Sequence, residues 1–168
     1  TASQAILKGL SADGGLFVPN TIPELEVSLD ELAQMSYQET AYAVMSRFLT
    51  DFTEEELKGC IEKAYDEKFD LPEIAPLVKA GGAYYLELFH GATIAFKDMA
   101  LQLLPHLLTK SAQKVSPGKT TAILVATSGD TGKAALEGFK DVDGTKVVVF
   151  YPGEGVSMLQ KMQMVTQE

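Results

Sequence analysis

Residues 121–151 read TAILVATSGDTGKAALEGFKDVDGTKVVVFY, two strand-like runs with a helix-like run between them. Thr121–Ala126 is a short apolar run of the kind that lies inside a sheet. Lys146–Tyr151 (KVVVFY) is rich in β-branched and aromatic residues, which pack well on a pleated surface. Between them the small-residue loop Thr127–Gly132 leads into a helix over Lys133–Phe139, and Asp143-Gly144 turns the chain. Strands alternating with helices predict an α/β fold with a parallel sheet, in which Lys146–Tyr151 lies beside Thr121–Ala126.

The same alternation extends on both sides. Ala83–Leu88 reads as a strand and His90–Ala95 as a Gly-containing loop. A helix is expected from near Lys97, with Ala100, Leu103, Leu104, Leu107 and Leu108 on one face. Pro105 inside it predicts a kink, since it lacks an N–H and clashes one turn back. Beyond residue 151, Pro152–Gly155 is a loop and Ser157 is placed to cap a last helix reaching Gln167.

Before Gly81-Gly82 the pattern differs. An opening loop with turns at Asp13-Gly14-Gly15 and Val18-Pro19 gives way to helical segments. Ser28–Glu31 and Thr53–Glu56 are capping boxes, with Val27/Leu32 and Phe52/Leu57 as their hydrophobic staples. Leu57, Cys60, Ile61, Ala64 and Tyr65 form an apolar stripe at helical spacing, which ends before Leu71-Pro72. The expected organisation is a mostly helical unit over residues 1–79 and the first part of an α/β domain over 80–168.

Composition narrows the chemistry. The chain has 168 residues and a net charge of −9, which disfavours a nucleic-acid partner because phosphates need a basic surface. Cys60 is the only cysteine, so no intrachain disulfide can form and a reducing cytoplasm is expected. His90 and His106 are too few and too far apart in sequence for a metal site. No apolar run is long enough for a membrane helix, and no signal peptide is expected at Thr1. Thr1 has no preceding Met and Glu168 follows no helix-stop signal, so a piece of a longer polypeptide is expected.

Two loops can carry chemistry. In ELFHGATIAFKD, residues 87–98, a string of apolar residues leads to Lys97 at the mouth of a helix. A helix dipole and apolar neighbours both favour a neutral amine, and a neutral amine attacks an aldehyde to form a Schiff base. A solvated lysine at a helix end is the plainer reading of the same residue. In TSGDTGK, residues 127–133, a strand feeds a helix whose first N–H groups suit an anion, with Ser128 and Thr131 hydroxyls as further donors. An ordinary capped turn competes evenly with that role. A nucleotide-binding loop fails here, because Thr127 stands where its first Gly belongs and Ala134 where its Ser/Thr belongs. The dinucleotide fingerprint fails for want of a third glycine beside Gly129 and Gly132.

Four segments in order carry a resemblance. They are GLSADGGLFVP (9–19), the 87–98 loop, ATSGDTGKAAL (126–136) and residues 151–166, with GVS at 155–157 and QKMQM at 160–164. Together they resemble threonine synthase, a fold-type-II, tryptophan synthase beta-like family that uses pyridoxal 5'-phosphate (PLP). The resemblance implies that Lys97 carries the cofactor, with Phe96 against the pyridine ring and Asp130 at the cofactor. It implies that Thr127, Ser128, Gly129 and Thr131 hold the substrate carboxylate. Two positions depart from the pattern: Ala92 stands where the family usually has proline, and Asp130 where related PLP folds often have asparagine.

The implied reaction converts O-phosphohomoserine and water to threonine and phosphate, with the Lys97 amine as general base. Lys133 and Lys161 are the nearest candidates to offset the substrate phosphate, and a solvated surface lysine is the plainer reading of each. A sister PLP phospho-lyase and a non-catalytic ligand- or partner-binding role are the competing readings. The implied partners are the small-molecule substrate and the remainder of the same polypeptide, because the family's phosphate-binding glycine loop lies beyond residue 168. The segment alone is therefore expected neither to hold PLP tightly nor to make threonine, and to leave an apolar sheet face exposed.

Overall fold

The computed structural model describes residues 1–167. Capping boxes open most of the helices, as short side chains satisfy first-turn N–H groups that have no partner within the helix. The box at Thr53 starts α4 (Glu54–Ala64), as the sequence predicts. The box at Ser28 yields only the single turn α2 (Leu29–Leu32). Two further boxes were not singled out in sequence. Thr1 with Gln4 starts α1 (Ala2–Lys8), where an opening loop is expected, and Ser36 with Glu39 starts α3 (Tyr37–Met45).

The core lies on the α4 stripe. Leu57, Ile61 and Ala64 are essentially sealed, and Phe52, Cys60, Tyr65, Phe69 and Ile74 complete the layer. Tyr65 meets Tyr37 edge-on at 4.9 Å between ring centroids and Phe69 at 5.9 Å. Such aromatic pairs add to the area they bury. Leu103 and Leu107, from the second half of the chain, pack into the same cluster.

Gly81 and Gly82 both have positive φ, 55° and 83°. Two such residues make the tight turn whose twist suits a hairpin. They join β1 (Leu77–Ala80) to β2 (Ala83–Leu86), with Leu77 opposite Leu86 and Ala80 opposite Ala83. The strand expected at 83–88 thus exists to residue 86, but it pairs antiparallel in its own two-stranded sheet. Its partner escaped the sequence reading because LVKA is too short to show a period.

Pro105 does not kink a helix. The chain makes one turn, α5 (Asp98–Leu101), passes through Gln102-Leu103, and starts α6 (Leu104–Val115) with Pro105 in its first turn. There the missing N–H removes no intrahelical bond.

β3 (Thr121–Ala126) and β4 (Thr145–Phe150) are parallel, in register from Thr121 opposite Thr145 to Ala126 opposite Phe150. The crossover helix α7 (Asp130–Gly138) covers one face through Ala134 and Ala135. The opposite face is open, with Leu124 and Phe150 more than half exposed, as expected from sequence. Ser157 and Gln160 form the box that starts α8 (Met158–Val165), whose Met164 is buried.

One close approach joins the halves of this layer. A side-chain carbon on Gly138 would overlap the Leu101 carbonyl, so glycine is what lets α7 lie against the end of α5. Among the described residues no helix is long and apolar enough to cross a membrane, and no cluster of His, Cys, Asp and Glu could hold a metal ion.

Candidate active site

The segment before α5 is folded on one buried carboxylate. Asp98 is fully buried and accepts hydrogen bonds from Thr93 N and Thr93 Oγ1, both at 2.7 Å. Those two bonds offset the desolvation of the charge. Gly91 makes room for it: a Cβ there would stand 2.6 Å from Asp98 Cβ and Oδ2. Ile94 takes φ 64°, an uncommon conformation for a β-branched residue, and its N–H closes on Gly91 O at 3.0 Å.

Lys97 follows this knot as the residue preceding α5, half-buried. Its Nζ lies 4.6 Å from the centroid of the Phe96 ring, a cation–π placement, and Phe96 itself is exposed. Among the described residues Lys97 forms no ion pair, whereas Lys58, Lys68, Lys114 and Lys133 each do. The helix that starts here has only four residues, and so few aligned peptides make a weak dipole. Little dipole therefore acts on Lys97, contrary to the expectation from sequence.

Both ends of the segment are tied to residues 65–70. At the front, His90 Nδ1 lies 2.6 Å from Asp70 Oδ1 and Nε2 lies 2.9 Å from Glu87 Oε2. Asp70 N also donates to His90 O at 3.0 Å. The hydrogen bond to Glu87 raises the His90 pKa above its ordinary value; burial opposes it, and the hydrogen bond to Asp70 and the charges of both carboxylates add to the rise. At the rear, Tyr65 Oη donates to Met99 O at 2.7 Å, and burial raises its phenol pKa so that the donor keeps its proton. Sequence reading set His90 aside as a poor metal ligand and gave Tyr65 only a core role.

The second loop begins where β3 ends. Thr127 N donates to Phe150 O at 2.9 Å, and Gly129 N donates to Thr127 Oγ1 at 3.2 Å. The helix then starts at Asp130, three residues earlier than expected at Lys133, with Gly129 as its cap residue and no side-chain cap. Asp130 and Thr131 therefore stand exposed in the first turn, where an acidic residue suits the helix dipole. Ser128 is exposed, Thr127 half-buried and Gly129 buried. Gln160 of α8 lies over Gly129 and reaches Asp130 Oδ1 at 3.4 Å.

The two loops meet across a cleft of about 120 Å³ lined by Thr93, Ile94, Ala95, Asp130, Lys133 and Gln163. Asp130 is thus brought to the lysine segment. Lys97, Phe96, Thr127, Ser128, Gly129 and Thr131 are outside that lining. Small-molecule sites commonly run from roughly 300 Å³ upward, so this cleft is smaller than a complete small-molecule site. Gln163, an uncharged helix residue, carried no signal of its own in the sequence. Lys133 lines the cleft but is engaged by Glu137 at 3.4 Å and by Gln167, and Lys161 is exposed. Larger hollows lie elsewhere: one of about 530 Å³ runs beside Tyr42, Arg47 and Lys58, away from Lys97.

Comparison with known proteins places the fold. Residues 1–65 match the family model described as threonine synthase N terminus. Over 97% of its length the chain is 42% identical to threonine synthase-like 1 of Homo sapiens, covering 23% of that protein. Over 96% it is 40% identical to threonine synthase of Pseudomonas aeruginosa, covering 34% of it. The chain therefore spans about a quarter to a third of the length of the curated relatives it matches. The PLP-bound threonine synthase from Brucella melitensis superposes on 96% of the chain with a TM-score of 0.85 and 36% identity, over 35% of that protein. The yeast threonine synthase does so over 96% of the chain and 35% of its own, with a TM-score of 0.86 and 35% identity. In sequence and in fold, the chain belongs to the threonine synthase family and corresponds to its N-terminal portion.

Proposed function

We propose that this chain contributes the reactive lysine and one substrate loop to a PLP-dependent lyase, in the cytoplasm, that forms threonine and phosphate from O-phosphohomoserine and water. The observation that carries the reading is the cleft where the Thr93–Ala95 side of the lysine segment faces the start of α7. The residues fit the cofactor as one wall. Lys97 offers an amine without a carboxylate partner among the described residues, Phe96 an exposed aromatic face, and α7 a start with no side-chain cap. Support for threonine chemistry comes from relatives that share 35–42% identity over nearly the whole chain.

When bound, PLP supplies an electron sink for bond changes at carbons next to the substrate nitrogen. The protein's part is binding and proton transfer. Lys97 would hold the cofactor and, as a neutral amine, would move protons at Cα and Cβ. Thr127, Ser128, Gly129 and Thr131 hold the substrate carboxylate at the α7 start, where N–H groups converge. Asp130, at the cleft, takes its place beside the cofactor. Buried Asp98 keeps the lysine segment in one conformation while Lys97 works.

A second reading has its own support, since the human relative bears the name threonine synthase-like 1. A phospho-lyase acting on another phospho-amino acid would use the same lysine segment. The deciding experiment treats the protein with PLP, reduces it with borohydride, maps the labelled residue by mass spectrometry, and assays products from O-phosphohomoserine. In the full-length protein, label on Lys97 with threonine and phosphate formed is the expected result, and residues 1–168 alone should take no label. Label on another lysine sinks the site assignment; label on Lys97 with a product other than threonine selects the sister lyase.

A further inference from the structure

We infer that His90 is a positioning residue for Lys97: clasped between Asp70 and Glu87 as a doubly protonated imidazolium, it fixes the front of the lysine segment to the body of the protein. The inference rests on Lys97 being the reacting amine. Its ground is geometric. Each ring nitrogen lies within hydrogen-bond distance of a carboxylate oxygen, at 2.6 Å and 2.9 Å. Ionised carboxylates only accept, so both nitrogens must carry hydrogen, and an imidazole with two N–H groups is a cation. Removing one proton would leave a lone pair facing a carboxylate.

The clasp joins three parts of the chain. Asp70 comes from the connection after α4, Glu87 from the end of the β1–β2 hairpin, and His90 from the threshold of the lysine segment. The imidazole is only 9% exposed and its remaining flank is covered by Phe89, with ring centroids 4.6 Å apart. Asp70 and Glu87 are the charged groups that face it; Lys68, near in sequence to Asp70, is paired with Asp66 at 2.5 Å. The Asp70 N–H to His90 O bond doubles the tie, and Tyr65 holds the rear at Met99. Lys97 thus lies between two anchors that both originate in residues 65–70.

The direction of pH dependence follows. Glu87 and Asp70 raise the His90 pKa, so the clasp is complete below the ordinary imidazole range and opens as pH rises through the raised value. His106 is an internal contrast, because burial lowers its pKa. The test uses nitrogen-15-labelled histidine and NMR titration, with backbone hydrogen exchange of residues 91–98 followed by mass spectrometry. His90 should titrate above His106. Asp70→Asn and Glu87→Gln should each lower the His90 titration. At neutral pH each should speed exchange of 91–98 about tenfold, and the excess should vanish above the His90 pKa. PLP–borohydride labelling of the same variants in the full-length protein should be slower yet still map to Lys97. A His90 that is neutral at pH 7, or exchange unchanged in both variants while label maps to Lys97, overturns the positioning role alone. Label on a different lysine, with His90 titrating as expected, instead overturns the Lys97 assignment on which the role rests.

Discussion

Replacing Gly91 with alanine tests whether the lysine segment is built on Asp98. The added Cβ would stand 2.6 Å from Asp98 Cβ and Oδ2, well inside contact distance. Two responses bound the cost. If Asp98 stays and the backbone gives way, overpacking costs about 1–3 kcal/mol. If the carboxylate swings out, two hydrogen bonds to a charged acceptor are lost, at roughly 1.5–3 kcal/mol each, and Thr93 N loses its partner. The expected loss is therefore about 3 kcal/mol, or on the order of 6–12 °C in Tm for a chain of this size. Urea unfolding followed by circular dichroism gives the first number. A double-mutant cycle with Asp98→Asn gives the second, because both substitutions strike one contact and their effects should fall well short of adding. A loss under about 0.5 kcal/mol, or full additivity, would refute the placement of Asp98 against Gly91.

Other positions give sharp expectations. Glu56 has its pKa lowered, first by the hydrogen bond from Lys114 at 2.5 Å and then by the Thr53 backbone. A lowered carboxyl contributes stability above its ordinary value of 4.5 and loses it as pH falls through the folded value, so Glu56→Gln should flatten the acid limb of the stability curve below about pH 4.5. Unfolding midpoints from pH 6 to pH 3 check this; an unchanged slope counts against the α4–α6 tie. Ile94→Asn should stabilise by about 1 kcal/mol, since Asn tolerates the left-handed conformation that strains Ile94 at φ 64°. A destabilised variant in thermal unfolding would mean that the Ile94 side chain contributes more packing than its 72% exposure allows.

Local signals were legible where they were long or redundant. β3 and β4 each combine six residues of strand-type sequence with a turn on either side, and their parallel pairing followed from the helix between them. The α4 stripe revealed its own core because every third or fourth residue is apolar. Short signals misled in both directions. The box at Ser28 opens only one turn, as the residues after Leu32 offer no apolar stripe to bury, while equivalent boxes at Thr1 and Ser36 open real helices. Pro105 could kink a helix or begin one; which occurs depends on whether the preceding turn continues, and Gln102-Leu103 break it.

The site divides along the same line. The reactive candidates were visible in sequence because amine chemistry and anion-binding helix starts leave local marks. What holds them was not, because it consists of side-chain pairs without a period: His90 with Asp70 across 20 positions, Tyr65 with Met99 across 34. Tyr65 makes the consequence concrete. Its ring is part of the helical core, packed on Tyr37 and Phe69, while its hydroxyl holds the backbone two residues after Lys97. One side chain therefore answers to both core packing and lysine placement. Core packing and the tie to Met99 thus fall on one side chain, so neither motif explains Tyr65 when read alone.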